Sequence, residues 1–146
     1  MMQYYLDAFR NYANFTGRAR RQQFWMFALF NTIITIVLWF FAIGPLFSGS
    51  NAVEDIFTPG YFVYMAYTLA AFIPSLAISV RRLHDIGKSG WYYLVILIPL
   101  AGVIWLLVMM CTDSQQEENK WGVSPKYGGF TASDDTAIDS IGTELE

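Results

Sequence analysis

Residues 22–53 read QQFWMFALFNTIITIVLWFFAIGPLFSGSNAV, thirty-two positions without one Asp, Glu, Lys or Arg. Two further stretches share that property, 56–80 and 89–112. A helix needs about 20 mostly apolar residues to cross a hydrocarbon core about 30 Å thick, and all three stretches meet that length. The pattern predicts an all-α membrane protein with three transmembrane helices at about 24–45, 61–80 and 91–111. Composition agrees: of 146 residues 55% are hydrophobic, 18% aromatic and only 14% charged, against about 25% charged in a soluble domain. What lies outside the spans is too short for a soluble catalytic domain. The first apolar run is also longer than the core of a secretory signal, follows a polar leader reaching Gln23, and precedes no small-residue cleavage site, so it is expected to stay as the first span.

The punctuation is clear. Gly44, Pro45 and Ser48-Gly49-Ser50-Asn51 break the first run, and Glu54 and Asp55 mark an acidic loop. Arg81 and Arg82 end the second run, and Trp91-Tyr92-Tyr93 opens the third with an aromatic anchor like Phe24-Trp25. Ahead of the first span, Tyr5, Phe9, Tyr12 and Phe15 recur at helical spacing, which predicts a short amphipathic helix, either lying in the membrane interface or packing on the bundle. Residues 1–126 form the membrane domain. From 127 to 146 the chain is acidic, with no basic residue, and reads as a flexible tail.

Positive charge sets the orientation. Arg10, Arg18, Arg20, Arg21, Arg81, Arg82 and Lys88 flank one side of the expected spans, and only Lys120 and Lys126 the other. The N-terminus is therefore expected in the cytoplasm, with the 48–58 loop and the C-terminus outside. Inside the spans, Asn31 is the one strong amide and is expected to hydrogen-bond another helix, since an unsatisfied amide in hydrocarbon costs several kcal/mol. Pro74 and Pro99 are expected to kink their helices at similar depth.

The densest chemistry is RRLHDIGKSGW, residues 81–91. Gly87-Lys88-Ser89 looks like the end of a phosphate loop, but Arg82 stands where that motif needs glycine and a membrane helix where it needs a strand. A lone histidine and a lone cysteine leave a metal site and a nucleophile without partners. No metal, cofactor or catalytic residue is expected, and nucleic acid is excluded as a partner because the basic clusters lie beside spans without base-stacking aromatics on a polar surface. His84, Asp85 and Asn31 are expected to be structural, with proton-linked roles as the alternative, and Arg81 with Asp85 makes an i,i+4 ion pair. Arg18, Arg20, Arg21, Arg81, Arg82, Lys88 and Ser89, the last as a helix N-cap, form a rim suited to anionic headgroups.

The segments FTGRARRQQFW (15–25) and RRLHDIGKSGW (81–91) resemble the two signature motifs of the domain of unknown function 805 (DUF805) family, small bacterial inner-membrane proteins of the YhaH/YhaI type, and NKWGVSP (119–125) resembles that family's closing motif. The resemblance covers about residues 3–126. It implies a multi-pass protein of the bacterial inner membrane, with three helices and both signature segments in the cytoplasm, and it implies no activity or cofactor. The chain departs from the family pattern at Gln23, where Glu is usual, and in DSQQEE (113–118), where glycines are usual. The functional expectation is a non-enzymatic module whose basic rim binds the anionic headgroups of membrane lipids or a partner membrane protein, and which self-associates as a homo-oligomer. The alternatives are a subunit of a small oligomeric channel or transporter and an enzyme acting on a lipid-linked phosphate.

Overall fold

The computed structural model describes residues 2–44 and 58–128. Among them the structure is all-helical: α1 (Met2–Arg10), α2 (Arg21–Ile43), α3 (Pro59–Asp85), a 3₁₀ helix (Gly90–Leu97) and α4 (Ala101–Cys111). Two of these, α2 and α3, are long and apolar enough to cross a membrane. The expected 48–58 loop, apart from Thr58, and the acidic tail beyond Gly128 lie outside the described residues.

The chain divides into two compact units. The first comprises Met1–Asn14 and Trp25–Ile78. Within it α2 and α3 run antiparallel. Near one end the Tyr67 hydroxyl donates to Asn31 Oδ1 at 2.7 Å, and at the other Gly60 backs so closely onto Phe41 that an added β-carbon would stand 2.8 Å from its carbonyl oxygen. Asn31 thus finds its partner on another helix, as its chemistry requires. Tyr5 of α1 extends the chain, its hydroxyl 3.1 Å from that of Tyr67. Its ring stacks on Phe27 at 5.6 Å. Phe9 also meets Phe27, so α1 packs on α2. The helix stops at Arg10, which leaves Tyr12 and Phe15 beyond its apolar stripe.

Other polar side chains in the spans fold back on their own helix. Thr35 and Ser75 donate to the carbonyls of Asn31 and Ala71, four residues earlier, which removes a hydroxyl from hydrocarbon without a partner helix. Pro74 is buried inside α3. Outward-facing Phe41, Phe62, Leu69 and Phe72 are exposed, as suits helices whose surroundings are lipid.

The second unit comprises Phe15–Phe24 and the chain from Ser79. It corrects the third span. Residues 91–111 do not form one long helix: an eight-residue 3₁₀ helix ends at Leu97, the chain turns through Ile98, Pro99 and Leu100, and α4 returns alongside. The reversal is tight. Leu100 takes φ 60°, and Gly102 lies so near the Val95 carbonyl that a β-carbon there would overlap the oxygen. Pro99, expected as a kink, is part of this turn, having no N–H to offer a continuing helix. Both ends of the hairpin meet the end of α3: Gly90 lies against Val80 and His84, while Arg82 donates to the carbonyls of Met110 and Thr112. Leu83, Met109 and Met110 form a buried cluster with Phe24, Ile86, Tyr93 and Leu106 packed around it.

Candidate functional site: a buried ionic cluster beside a basic pocket

α3 ends in a glycine-terminated cap. Gly87 takes φ 73°, its N–H donates to His84 and the N–H of Lys88 reaches back to the Leu83 carbonyl at 2.9 Å, the 5→2 and 6→1 bonds of a Schellman motif. The Gly87-Lys88-Ser89 stretch is therefore a helix stop. Ser89 precedes the 3₁₀ helix, and its side chain makes no capping bond, which corrects the expected N-cap role.

The last turn of α3 carries the center of the unit. Asp85 and Arg82 are both 0% exposed. Arg18 Nε donates to Asp85 Oδ1 at 3.1 Å, while Arg82 Nη1 and the Ser114 hydroxyl both donate to Oδ2. Asp85 thus pairs with Arg82 and Arg18, replacing the expected partner Arg81. The backbone accounts for Arg18: the Arg81 carbonyl accepts the Ala19 N–H at 3.0 Å, which lays residues 18–20 against the end of α3 and brings Arg18 onto Asp85.

Arg18 then spends its other donors on main chain. Nη1 reaches the carbonyls of Glu117 and Gly122 at 2.9 and 3.2 Å, and Nη2 those of Asp85 and Gln115 at 3.1 and 2.6 Å. A planar guanidinium offers five N–H groups in a fixed fork, and all five are used here. Residues 112–122, expected across the membrane from Arg18 and Arg82, are instead bonded to both. Groups separated by hydrocarbon cannot be 2.6 Å apart, so the separate-sides expectation is corrected for this segment.

His84 is fixed on three sides. Its ring stacks on Trp121 with centroids 4.3 Å apart and planes 12° from parallel, Nδ1 lies 3.3 Å from the Gly17 carbonyl, and its own carbonyl accepts from Asn119 Nδ2 at 2.9 Å. The Asn119 side chain also accepts the Trp121 N–H at 3.0 Å, shaping the turn that presents the indole. His84 stands past Val80, where the apolar part of α3 ends, and burial is the main cause that holds its pKa below the ordinary value.

The remaining cations are arranged differently. Arg20, Arg21, Gln22, Asp113, Ser114 and Lys126 line a pocket of about 350 Å³. Arg21 also donates to the Cys111 carbonyl at 3.3 Å, and Lys126 pairs with Asp113, whose pKa that hydrogen bond lowers most. At the start of α2, Gln23 Oε1 accepts the Arg20 N–H at 3.0 Å, the reciprocal half of a capping box, which an amide performs as well as a carboxylate. Lys88 sits over the Tyr92 ring at 5.6 Å. The expected rim is thus split: Arg18 and Arg82 are interior, Arg81 offers its carbonyl to Ala19, and Arg20 and Arg21 face the pocket. Among the described residues no three of His, Cys, Asp and Glu converge.

Ser114, Gln115, Asn119, Trp121 and Lys126 were not anticipated as parts of this assembly. The signal available was the pair Lys120 and Lys126, two cations on the side expected to be poor in them.

No solved structure matches the chain. Two inner membrane proteins of Escherichia coli (strain K12), YhaI and YhaH, are each 38% identical to it, over 87% and 86% of this chain and 98% of each relative. The uncharacterized protein YiiR of the same organism is 35% identical over 75% of this chain and 84% of its own. The family described as "Protein of unknown function (DUF805)" matches residues 12–123, which contain the Arg18, Arg82 and Asp85 cluster and the Asn119 turn. By that match and those relatives, this membrane protein belongs to the DUF805 family.

Proposed function

We propose that the protein is a non-enzymatic membrane module that holds the phosphate of an anionic phospholipid headgroup in the pocket formed by Arg20, Arg21 and Lys126. The observation that carries this reading is the division of labor among the cations. Arg18 and Arg82 are consumed by internal acceptors, whereas Arg20, Arg21 and Lys126 surround an open space with one carboxylate, Asp113, among them. Net positive charge remains for an anion, and each basic side chain near an anionic leaflet contributes about 1 kcal/mol. The positive end of α2, which begins at Arg21, adds to that field. His84 and Asp85 are tied into internal bonds, which favors a binding role over acid–base chemistry. The basic leader beside the α2 and α3 spans favors a cytoplasmic position for this end, by the positive-inside rule.

The test is native mass spectrometry of the protein released from nanodiscs containing phosphatidylglycerol and phosphatidylcholine. Wild type is expected to retain phosphatidylglycerol, and Arg20→Ala with Arg21→Ala to lose it while the protein stays inserted. Equal retention by wild type and the double variant overturns the proposal.

A further inference from the structure

We infer that residues 89–112 form a half-membrane hairpin that enters the hydrocarbon from the side of the basic segments, turns at Ile98, Pro99 and Leu100 within the bilayer, and returns to the same side, so that the chain crosses the membrane only twice. The partner of this surface is the acyl-chain layer of a single leaflet.

Three observations lead there. The first is length. Eight residues of 3₁₀ helix at about 2.0 Å each reach about 16 Å, and the eleven of α4 at about 1.5 Å each reach about 16 Å as well. The arms match one another, and each matches half of a hydrocarbon core about 30 Å thick.

The second is the surface. From 89 to 112 there is no charged side chain, and the hairpin turns its apolar residues outward: Leu97 is 75% exposed and Leu100, at the tip, 83%. Ala101, Ile104, Trp105 and Val108, one stripe of α4, line an apolar groove of about 440 Å³ suited to a methylene chain. A continuous face of this kind in water would be an aggregation site. Most N–H groups of the turn, though not that of Leu100, have the internal partners that hydrocarbon demands. Those of Ile98, Ala101 and Gly102 donate to Val95, Pro99 and Ile98, and Pro99 has none.

The third is the account of charge. Both ends of the hairpin are fastened to the end of α3, and the chain beyond it carries Lys120 and Lys126. If the hairpin returns, all nine Lys and Arg residues fall on one side, since the stretch between α2 and α3 contains none. A third crossing would strand two of them on the far side, against the positive-inside bias.

The experiment is site-directed labeling of the full chain in a Cys111→Ser background. Single cysteines at Lys88, Gln116 and Asn51 are reacted with a membrane-impermeant maleimide in right-side-out and inside-out vesicles. Lys88→Cys and Gln116→Cys are expected to label in the same vesicle orientation and Asn51→Cys in the opposite one. Labeling of Gln116→Cys together with Asn51→Cys overturns the inference. A fluorophore on Leu100→Cys then reads depth: lipids brominated near their chain ends are expected to quench it, and aqueous iodide is not. Quenching by iodide, or protection from both quenchers as a second copy would give, also overturns it. Neither readout depends on headgroup retention, so this inference and the proposed lipid site can fail separately.

Discussion

Arg18 Nε lies 3.1 Å from Asp85 Oδ1 across 67 residues of sequence, with both side chains almost wholly buried. Two buried arginines share this one carboxylate, and removing it leaves both uncompensated. Asp85→Asn preserves the shape and is expected to destabilize the protein by about 3–5 kcal/mol. The control is Asp7→Asn. Its pair with Arg10 is exposed and 3.9 Å apart, and its loss is expected to change stability by less than about 1 kcal/mol. Thermal unfolding in one detergent compares the two.

Gly102→Ala is expected to force the 3₁₀ helix and α4 apart, because the added methyl overlaps the Val95 carbonyl. Overpacking of this kind costs about 1–3 kcal/mol. Gly44→Ala meets nothing within 4 Å and is expected to be neutral. Limited proteolysis of residues 112–128 distinguishes them, with faster cleavage in Gly102→Ala only.

Tyr67→Phe removes the donor to Asn31 and the contact with Tyr5. Interhelical hydrogen bonds in membranes average about 0.6 kcal/mol and reach about 1.7. The variant is expected to fall within that range, measured by its melting shift, and a larger loss would mean that the pair also positions the helices.

His84 gives a pH dependence with a definite sign. Burial lowers its pKa in the fold from an ordinary value of 6.5, so the unfolded chain takes up its proton first as pH falls. Stability is full above 6.5, declines as pH drops toward the lower folded value, and then levels. Melting temperatures between pH 7.5 and about pH 5 in wild type and His84→Gln test this. The variant is expected to lose the part of the slope due to this residue, and identical slopes would contradict it.

The two long apolar helices were legible because long charge-free runs have few other uses, and Asn31 because an amide in hydrocarbon has to find a partner. The hairpin was not. A twenty-residue apolar run has the same composition whether it crosses once or folds in half, and the positive φ of Leu100 leaves no residue-type signature. Pro99 and Gly102 stood at the turn, but a proline reads equally well as a kink. The buried cluster was half legible: the arginines and Asp85 stood out, whereas the acceptors at Gln115, Glu117 and Gly122 are backbone carbonyls, which every residue has. Arg81 and Arg82 are neighbors of one type on one helix, at i,i+4 and i,i+3 from Asp85, and sequence spacing permits a pair with either; the structure pairs Arg82.

The fork of Arg18 also imposes an order on synthesis. Its acceptors at 115, 117 and 122 emerge from the ribosome about a hundred residues after the arginine itself. Until then this guanidinium lacks those acceptors, and the cluster at the end of α3 closes only when the last of those carbonyls arrives. A nascent chain stopped short of residue 122 thus leaves the Arg18 fork without at least one of its acceptors.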